Sequence, residues 1–202
     1  MTDCFALLGE PRRPWLDPEA LKKKFHLLSA EVHPDRVHGS GPLEKQAAQD
    51  RYTAVNAAYQ CLRHPKERLR HFLQLELGTR PAEVEQIFPE MMDLFLQVSE
   101  RCRQADAFLA DKEKTNSPLL QVALFEPGQK LLEQLNALQK EIQTRHQGLE
   151  AELMKLDEQW SEDTSISTRS KILTRLEELY RLFSYFGRWT GQIQARIIQL
   201  SL

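Results

Sequence analysis

The sequence predicts an all-α protein, with an antiparallel helical finger over residues 1–78 and a three-helix antiparallel bundle over residues 79–202. Two observations carry this prediction. Apolar residues recur at spacings of three and four along most of the chain, which is the period of one face of an α-helix. Prolines stand near the starts of several of these patterns, where the missing N–H of proline costs little. A hydrophobic content of 41% is enough to build a core.

The first long helix is predicted between Asp17 and His33. Asp17 is a good N-cap residue, and Pro18 stands at the first helical position. One apolar stripe follows at spacings of four, three and four: Leu21, Phe25, Leu28 and Val32. Pro34 disfavours helical backbone at the preceding residue, so the helix should end there. The short apolar segment 5–9 is expected to pack across the base of the finger.

A second helix is predicted after a polar loop that runs from His33 to Pro42. Its apolar stripe has the same spacing: Ala48, Tyr52, Val55, Tyr59 and Leu62. Pro65 then starts a new segment of chain. The two helices should pair antiparallel across the loop. His33 and Asp35 would then lie beside a helix end and point away from the core.

Three further helices are predicted beyond a boundary at residues 78–81, with candidate starts at Pro89 and Pro127. The core stripe of the first is Met91, Phe95, Val98 and Cys102. That of the second is Leu131, Leu135, Leu138, Ile142, Leu149 and Leu156. That of the third is Leu176, Leu179, Phe183, Phe186, Ile193, Ile197 and Leu200. Three such helices most simply form an antiparallel bundle. Residues 111–127 are ambiguous, because a polar stretch precedes an apolar one.

Two apolar sets remain once these cores are assigned. Met92 and Leu96 lie four positions apart beside the first core stripe, and Leu182, Tyr185 and Trp189 form a second stripe on the last helix. Each set is either part of a wide core face or an exposed patch that binds a protein client.

The charge is split between the two halves of the chain. Residues 1–75 carry 12 Lys and Arg against 9 Asp and Glu, whereas the remainder is acidic. This modest basic excess suits an acidic protein partner and is too weak for nucleic acid. No apolar run reaches the roughly 18 residues that a membrane span needs, so no membrane partner is expected. The N-terminus resembles neither a signal nor a transit peptide, and the expected location is the cytoplasm.

The residue pattern does not predict an enzyme. It contains no nucleophile–base pair, no metal-ligand spacing and no phosphate-binding glycine loop, so we expect no cofactor and no metal. Cys4, Cys61 and Cys102 are far apart in sequence, and buried free thiols are expected at Cys61 and Cys102. His33 beside Asp35 could suggest acid–base chemistry. An exposed loop stiffened by proline suits docking to a partner better.

These residues resemble a J-domain, the module that stimulates ATP hydrolysis by DnaK-type chaperones. More narrowly, the chain is similar to the HscB family, the J-proteins of iron–sulfur cluster assembly. The resemblance is carried by His33-Pro34-Asp35-Arg36 and by matching residues within segments 5–9, 55–59 and 62–78. The paired CxxC zinc site of eukaryotic relatives is missing, which favours a bacterial type. A weaker likeness in the second half involves Pro89-Glu90-Met91-Met92, Arg145-His146-Gln147 and Trp160.

The resemblance implies two docking surfaces and two partners. A DnaK/HscA-type ATPase chaperone would be engaged by the motif residues His33, Pro34 and Asp35. Electrostatic steering toward this chaperone would come from Lys22, Lys23, His26 and Arg36. An IscU-type scaffold protein would be bound by the family's contact positions, which fall on Met92, Asp93, Leu96, Gln97 and Glu100.

The predicted function is therefore that of an adaptor. The J-domain would trigger ATP hydrolysis on a specialised chaperone while the bundle delivers the scaffold. Two alternatives stay open: a general J-domain co-chaperone for unfolded clients, and a structural coiled-coil protein whose His33-Pro34-Asp35 motif is vestigial. The choice of client distinguishes the adaptor from the general co-chaperone. Any ATPase response of a chaperone distinguishes both of these from the structural coiled-coil protein.

Overall fold

The computed structural model of the chain describes residues 2–37, 39, 41–82, 88–115, 117–161 and 163–201. These residues form helices and connecting loops, with no strand among them, so the predicted all-α class is confirmed. The helices are α1 (Cys4–Leu8), α2 (Pro18–Glu31), α3 (Pro42–Arg63), α4 (Pro65–Leu77), α5 (Met92–Lys114), α6 (Pro118–Glu158) and α7 (Ile166–Ser201). Two 3₁₀ turns span Pro34–Val37 and Pro89–Met91. None of the described helices combines the length and apolarity that crossing a membrane requires.

The predicted start and stop signals operate at α2. The Asp17 carboxylate accepts a hydrogen bond from the backbone N–H of Ala20 at 2.7 Å, and Pro18 lies in the first turn. This satisfies one of the N–H groups that a helix start leaves without a helical partner. The helix ends at Glu31, ahead of the residue whose helical geometry Pro34 disfavours.

The finger is antiparallel, as predicted. The ring of Phe25 on α2 stacks on that of Tyr59 on α3, with centroids 4.1 Å apart. Further along, the ring of His33 meets that of Tyr52 edge-on at 5.3 Å. Residue numbers therefore rise from Phe25 to His33 along one side of the contact, whereas those of the contacting residues fall from Tyr59 to Tyr52. The two helices therefore point in opposite directions and meet at the 3₁₀ turn.

The second bundle helix begins earlier than predicted. Pro127 was expected to start it, but α6 begins at Pro118 and Pro127 lies inside the helix. The backbone N–H of Gln121 already donates to the carbonyl of Ser117 at 3.0 Å, so the helical bonding is established before the proline. An interior proline costs about 3 kcal/mol, and a helix of 41 residues has many other hydrogen bonds to offset it. The predicted start at Pro127 is therefore wrong.

The chain divides into two compact units. The first comprises Met1–Ala82 with Glu150–Tyr180, and the second Glu83–Leu149 with Arg181–Leu202, so the division runs through both α6 and α7. This grouping differs from the predicted boundary after residue 78, because residues 150–180 pack with the N-terminal helices. In the first unit the indole of Trp160 meets the ring of Phe72 edge-on at 5.1 Å. The predicted boundary also concerned which segment carries which function, and that part stays a prediction.

The second unit contains a three-helix bundle. Gln139 on α6 donates a hydrogen bond to Gln194 on α7 at 2.6 Å, and the ring of His146 packs on that of Phe183 at 5.0 Å. Residue numbers rise on α6 as they fall on α7, so these two helices are antiparallel. Contacts between α5 and α7 run in parallel order and join Phe95 to Trp189 and Asp106 to Arg196. Hence α6 opposes both of its neighbours, as an antiparallel bundle requires.

The two leftover apolar sets have different environments. Leu182, Tyr185 and Trp189 are buried, with 7%, 6% and 4% of their surface exposed, so this stripe belongs to the core of its unit. Met92 and Leu96 are 41% and 56% exposed. The stripe on α7 is therefore part of the core, and the pair on α5 is exposed at the surface.

Candidate functional site

The motif residues lie in a short turn whose shape is fixed locally. The backbone N–H of Arg36 donates to the carbonyl of His33 at 3.0 Å, and the backbone N–H of Asp35 donates to Nδ1 of His33 at 3.3 Å. That second bond places the proton of a neutral His33 ring on Nε2. The Asp35 side chain is 86% exposed and that of His33 is 43% exposed. The turn therefore displays both side chains without using them in a core.

Tyr52 holds the His33 ring in place. This half-buried residue of α3 meets the imidazole in an edge-on arrangement, and the His33 side chain remains 43% exposed. The sequence placed Tyr52 only on the apolar stripe of its helix. Its role as a support for His33 depends on where the loop folds back, and helical spacing does not contain that information.

Three of the predicted steering residues lie on one face of α2, the helix that precedes the turn. Lys22, Lys23 and His26 are all exposed, and spacings of three and four residues put them on one side of α2. Arg36 is exposed in the turn itself. The neighbouring Lys24 differs, since its Nζ donates to the carbonyl of Gly9 and lies 3.2 Å from the Glu10 carboxylate. Lys24 therefore ties α2 to the end of α1.

The predicted scaffold contacts share one face of α5. Positions 92, 93, 96, 97 and 100 follow the helical repeat, and the side chains at the first four are exposed. The opposite face carries Leu94 and Val98, which are 2% and 1% exposed. The carboxylate of Glu100 accepts hydrogen bonds from Arg103 at 2.6 Å and Gln104 at 2.7 Å, and these bonds lower its pKa. This strip is apolar near its start and acidic at Asp93 and Glu100.

Packing also assembles a cluster that the sequence analysis did not anticipate. Cys4 on α1, Cys61 on α3 and His71 on α4 bring two sulfurs and a ring nitrogen within 4.8 Å of one another. Both cysteines are half-buried and His71 is buried, whereas the expectation was separate thiols, with Cys61 inside a core. Only Cys102 is buried as predicted. No sequence spacing marks this cluster, because its residues come from three different helices.

Hydrogen bonds within the cluster change the acidity of its thiols. The thiol of Cys61 donates toward the sulfur of Cys4, and together with the nearby His71 this lowers the pKa of Cys4 to about 5. The pKa of Cys61 is raised, because its proton is shared with Cys4 and because it is partly buried. The Cys61 thiol also lies 3.7 Å from the carbonyl oxygen of Glu67. The pKa values of the two thiols are therefore shifted in opposite directions, with Cys4 the more acidic.

Comparison with known proteins gives a sequence match over part of the chain. No family model matches. A segment of 73 residues is 41% identical to a protein named Co-chaperone protein HscB homolog from Chromobacterium violaceum. It makes up 36% of this chain and 42% of that relative, so the match spans about two fifths of the relative's length.

Comparison of folds covers nearly the whole chain. Chaperone HscB from Vibrio cholerae matches 98% of this chain and 99% of its own length, with a TM-score of 0.62 and 18% identity. The human co-chaperone protein HscB matches 96% of this chain and 82% of its own, with a TM-score of 0.60 and 16% identity. At these identities the likeness establishes the fold alone. The sequence match over one segment confirms the resemblance to the HscB family that was predicted from His33-Pro34-Asp35-Arg36 and the matching segments. The fold match shows that almost the full length of the chain has the fold of these HscB proteins.

Proposed function

We propose that the chain is a co-chaperone of iron–sulfur cluster assembly. It stimulates ATP hydrolysis by a DnaK/HscA-type chaperone and presents an IscU-type scaffold protein to that chaperone. The observation that carries this proposal is the exposed turn at His33-Pro34-Asp35, which follows the helix with the basic face, α2, in a chain with the fold of HscB. The proposal places the protein in the cytoplasm, where an ATP-driven chaperone would work.

The turn is well suited to docking because it is ordered before a partner arrives. Two hydrogen bonds to His33 and the contact with Tyr52 fix the conformation in the free protein. A preorganised segment loses less conformational entropy on binding than a flexible one. The side chain of Asp35 is 86% exposed, so its carboxylate is available for a cationic or N–H donor on the chaperone.

The basic face of α2 supports association with an acidic partner surface. Exposed positive charges close to a docking site raise the rate of encounter and orient the partner. Lys22, Lys23, His26 and Arg36 fit this role because all four are exposed. In contrast, Lys24 is occupied with Gly9 and Glu10.

The strip on α5 supports a separate surface for the scaffold. Exposed Met92 and Leu96 offer apolar contact area, and the acidic residues Asp93 and Glu100 offer charge that a basic partner would complement. A chain that holds a chaperone with one surface and its client with another raises the effective concentration of each for the other. This is the physical basis of the proposed adaptor function.

The first test concerns the turn. We expect the wild-type chain to stimulate ATP hydrolysis by a purified HscA-type chaperone. His33→Gln or Asp35→Asn should reduce that stimulation by about 10- to 100-fold, since each removes hydrogen bonds to a charged group worth roughly 1.5–3 kcal/mol. Steady-state phosphate release at several protein concentrations measures the effect. Helical circular dichroism should be unchanged, because neither side chain is in a core.

Asp50→Asn is the matched control for this test. Asp50 is an exposed acid of α3 that accepts a hydrogen bond from Gln46 at 2.9 Å. It lies two positions before Tyr52, hence on another face of the helix from the residue that contacts His33. Asp50→Asn makes the same chemical change as Asp35→Asn and should stimulate like wild type. Normal stimulation by the motif variants, or their unfolding, contradicts the docking role of the turn.

A further inference from the structure

We propose that Cys4, Cys61 and His71 form a binding site for Zn²⁺. These residues belong to neither of the proposed docking surfaces, so the inference stands independently of the proposed function. It also departs from the expectation that the chain binds no metal. The carrying observation is the convergence of two cysteine sulfurs and one imidazole nitrogen within 4.8 Å, from three separate helices of one compact unit.

The spacing of the ligand atoms is close to that of a bound zinc ion. With Zn–S near 2.3 Å and Zn–N near 2.0–2.1 Å, tetrahedral geometry separates its ligand atoms by about 3.5–3.8 Å. The three atoms are at most 4.8 Å apart, so each separation needs to shorten by no more than about 1.3 Å. Rotation about side-chain bonds can provide movement of this size without displacing a helix.

Neighbouring residues position the three candidate ligands. Phe5 is only 1% exposed, and its ring stacks on the imidazole of His71 with centroids 5.7 Å apart. The Asp3 carboxylate caps α1 by accepting the N–H groups of Phe5 and Ala6, and it pairs with Arg12 at 2.8 Å. Asp3 is therefore fully engaged and lies beside the imidazole rather than serving as a ligand.

The donor set has the chemistry that zinc prefers. Thiolate sulfur and neutral imidazole nitrogen are its usual ligands, and mixed cysteine and histidine sets are common. Cys4 binds the ion as a thiolate, its proton passing to solvent as the Zn–S bond forms. Cys61 becomes the second thiolate when its S–H bond breaks, a Zn–S bond forms and the proton passes to solvent. Three protein ligands leave a fourth position for water.

One hydrogen bond must be exchanged when the ion enters. Nε2 of His71 accepts the backbone N–H of Cys4 at 3.0 Å. A ring nitrogen has one lone pair, so coordination through Nε2 competes with this bond. The N–H belongs to the first turn of α1 and loses this acceptor when Nε2 binds the ion. Binding is thus expected to alter the amide environment of Cys4 and the orientation of the His71 ring.

The first experiment uses the reduced, full-length wild-type protein. Titration with Zn²⁺ against a chromophoric chelator should show one tightly bound equivalent. Co²⁺ in its place should give a thiolate-to-metal charge-transfer band of two-sulfur intensity. One equivalent of Zn²⁺ should slow alkylation of Cys4 and Cys61 by iodoacetamide at least about tenfold, as quantified by mass spectrometry, and leave Cys102 unaffected. Protection of Cys102, or of no cysteine, overturns the site.

The second experiment assigns the ligands. Cys4→Ser, Cys61→Ser and His71→Gln should each weaken Zn²⁺ binding by at least about 100-fold, since loss of a mere supporting partner already costs 10- to 100-fold. Cys102→Ser is the matched control and should bind like wild type. Undiminished binding by the first three variants contradicts the assignment. Should a variant fail to fold, the alkylation result on wild-type protein still decides.

A third experiment, under anaerobic conditions, compares Zn²⁺ with Cu⁺, which also favours thiolates. The Zn²⁺ assignment requires the protection of Cys4 and Cys61 described above. Protection by Cu⁺ but not by Zn²⁺ would overturn the zinc assignment in favour of copper. None of these measurements involves a chaperone or a scaffold, so the outcome does not depend on the proposed co-chaperone function.

Discussion

The cysteines differ in acidity because their surroundings differ. Cys4 accepts a hydrogen bond from the Cys61 thiol and lies near His71, and its pKa falls to about 5. Cys102 lies on the buried face of α5, where burial raises the pKa of its thiol. The sequence predicted buried thiols at Cys61 and Cys102, but it could not predict the acidity of any of the three cysteines. The distinction arises from neighbours that only the folded chain supplies.

Alkylation of the reduced, metal-free protein as a function of pH tests this difference. Only the thiolate reacts, so the rate follows its fraction. With a pKa lowered to about 5, Cys4 is already ionised at pH 6 and its rate should change by less than twofold up to pH 8. An ordinary thiol with pKa near 8.5 speeds up by roughly 80-fold over that range. A rate at Cys4 that climbs like that of an ordinary thiol would contradict the assigned environment.

The loop between α1 and α2 has no regular secondary structure, and side chains of the first compact unit hold it in place. The buried guanidinium of Arg68 donates to the carbonyls of Pro14 at 2.9 Å and Leu62 at 2.7 Å. The buried carboxylate of Asp157 accepts the backbone N–H of Trp15 at 3.2 Å and pairs with Arg13 at 2.8 Å. Burial lowers the pKa of Arg68 to about 10, so it remains charged at neutral pH. The start of α2, which carries the basic face, is thereby held in place.

At the scale of elements, α2 allows a test of steering. Replacing both Lys22 and Lys23 by Glu should slow association with the chaperone. Both side chains are exposed, so the substitution makes this part of the basic face negative. The wild-type rate should also fall as salt rises to 0.15 M, where the Debye length is about 8 Å. Stopped-flow binding measures both effects.

The matched control reverses Lys112 and Lys114 on α5. Both are exposed, and the change in net charge is the same. Steering from the face of α2 requires this control to associate like wild type. Equal slowing in both double variants would indicate a dependence on net charge alone, and a rate insensitive to salt would argue against steering altogether.

Substitutions in the exposed strip on α5 should affect scaffold binding and leave the stability of the fold nearly unchanged. Changing both Met92 and Leu96 to Ser should alter the free energy of unfolding by only about 0.5 kcal/mol per site, since both are exposed. Affinity for an IscU-type scaffold should fall while stimulation of the chaperone by the turn is retained. Isothermal titration with the scaffold and a chemical melt measure the two quantities.

Leu94→Ala is the control on the buried face of the same helix. Leu94 is 2% exposed, so truncation should cost about 2–5 kcal/mol of stability. A comparable loss of stability in the Met92 and Leu96 variant would assign these residues to the core. A stable double variant that binds the scaffold fully would remove the strip from the proposed site.

Across the whole molecule, features set by local sequence were predictable and features set by distant packing were not. The cap at Asp17 and the stop at Pro34 predicted α2, and helical spacing predicted most of the buried face of α7. On α5 it predicted Val98 and Cys102 correctly but chose Phe95, which is half-buried, in place of the buried Leu94. The interior position of Pro127 was not predicted. The free-energy cost of one interior proline is offset by the hydrogen bonds of the whole helix, and the local sequence around the proline does not show that balance. Residues 150–180 group with the N-terminal helices through contacts such as that between Phe72 and Trp160. No helical periodicity encodes such contacts.

We propose that this one chain couples a chaperone to its client. The steady-state ATPase rate of an HscA-type chaperone measures this most directly, with the chain alone, with an IscU-type scaffold alone and with both. An adaptor that binds both partners should make the combined response exceed the sum of the separate ones by about tenfold or more, because it raises their effective concentration. Asp35→Asn and the Met92 and Leu96 double variant should each abolish this excess. A combined response equal to the sum, or an excess that survives both changes, would contradict the account.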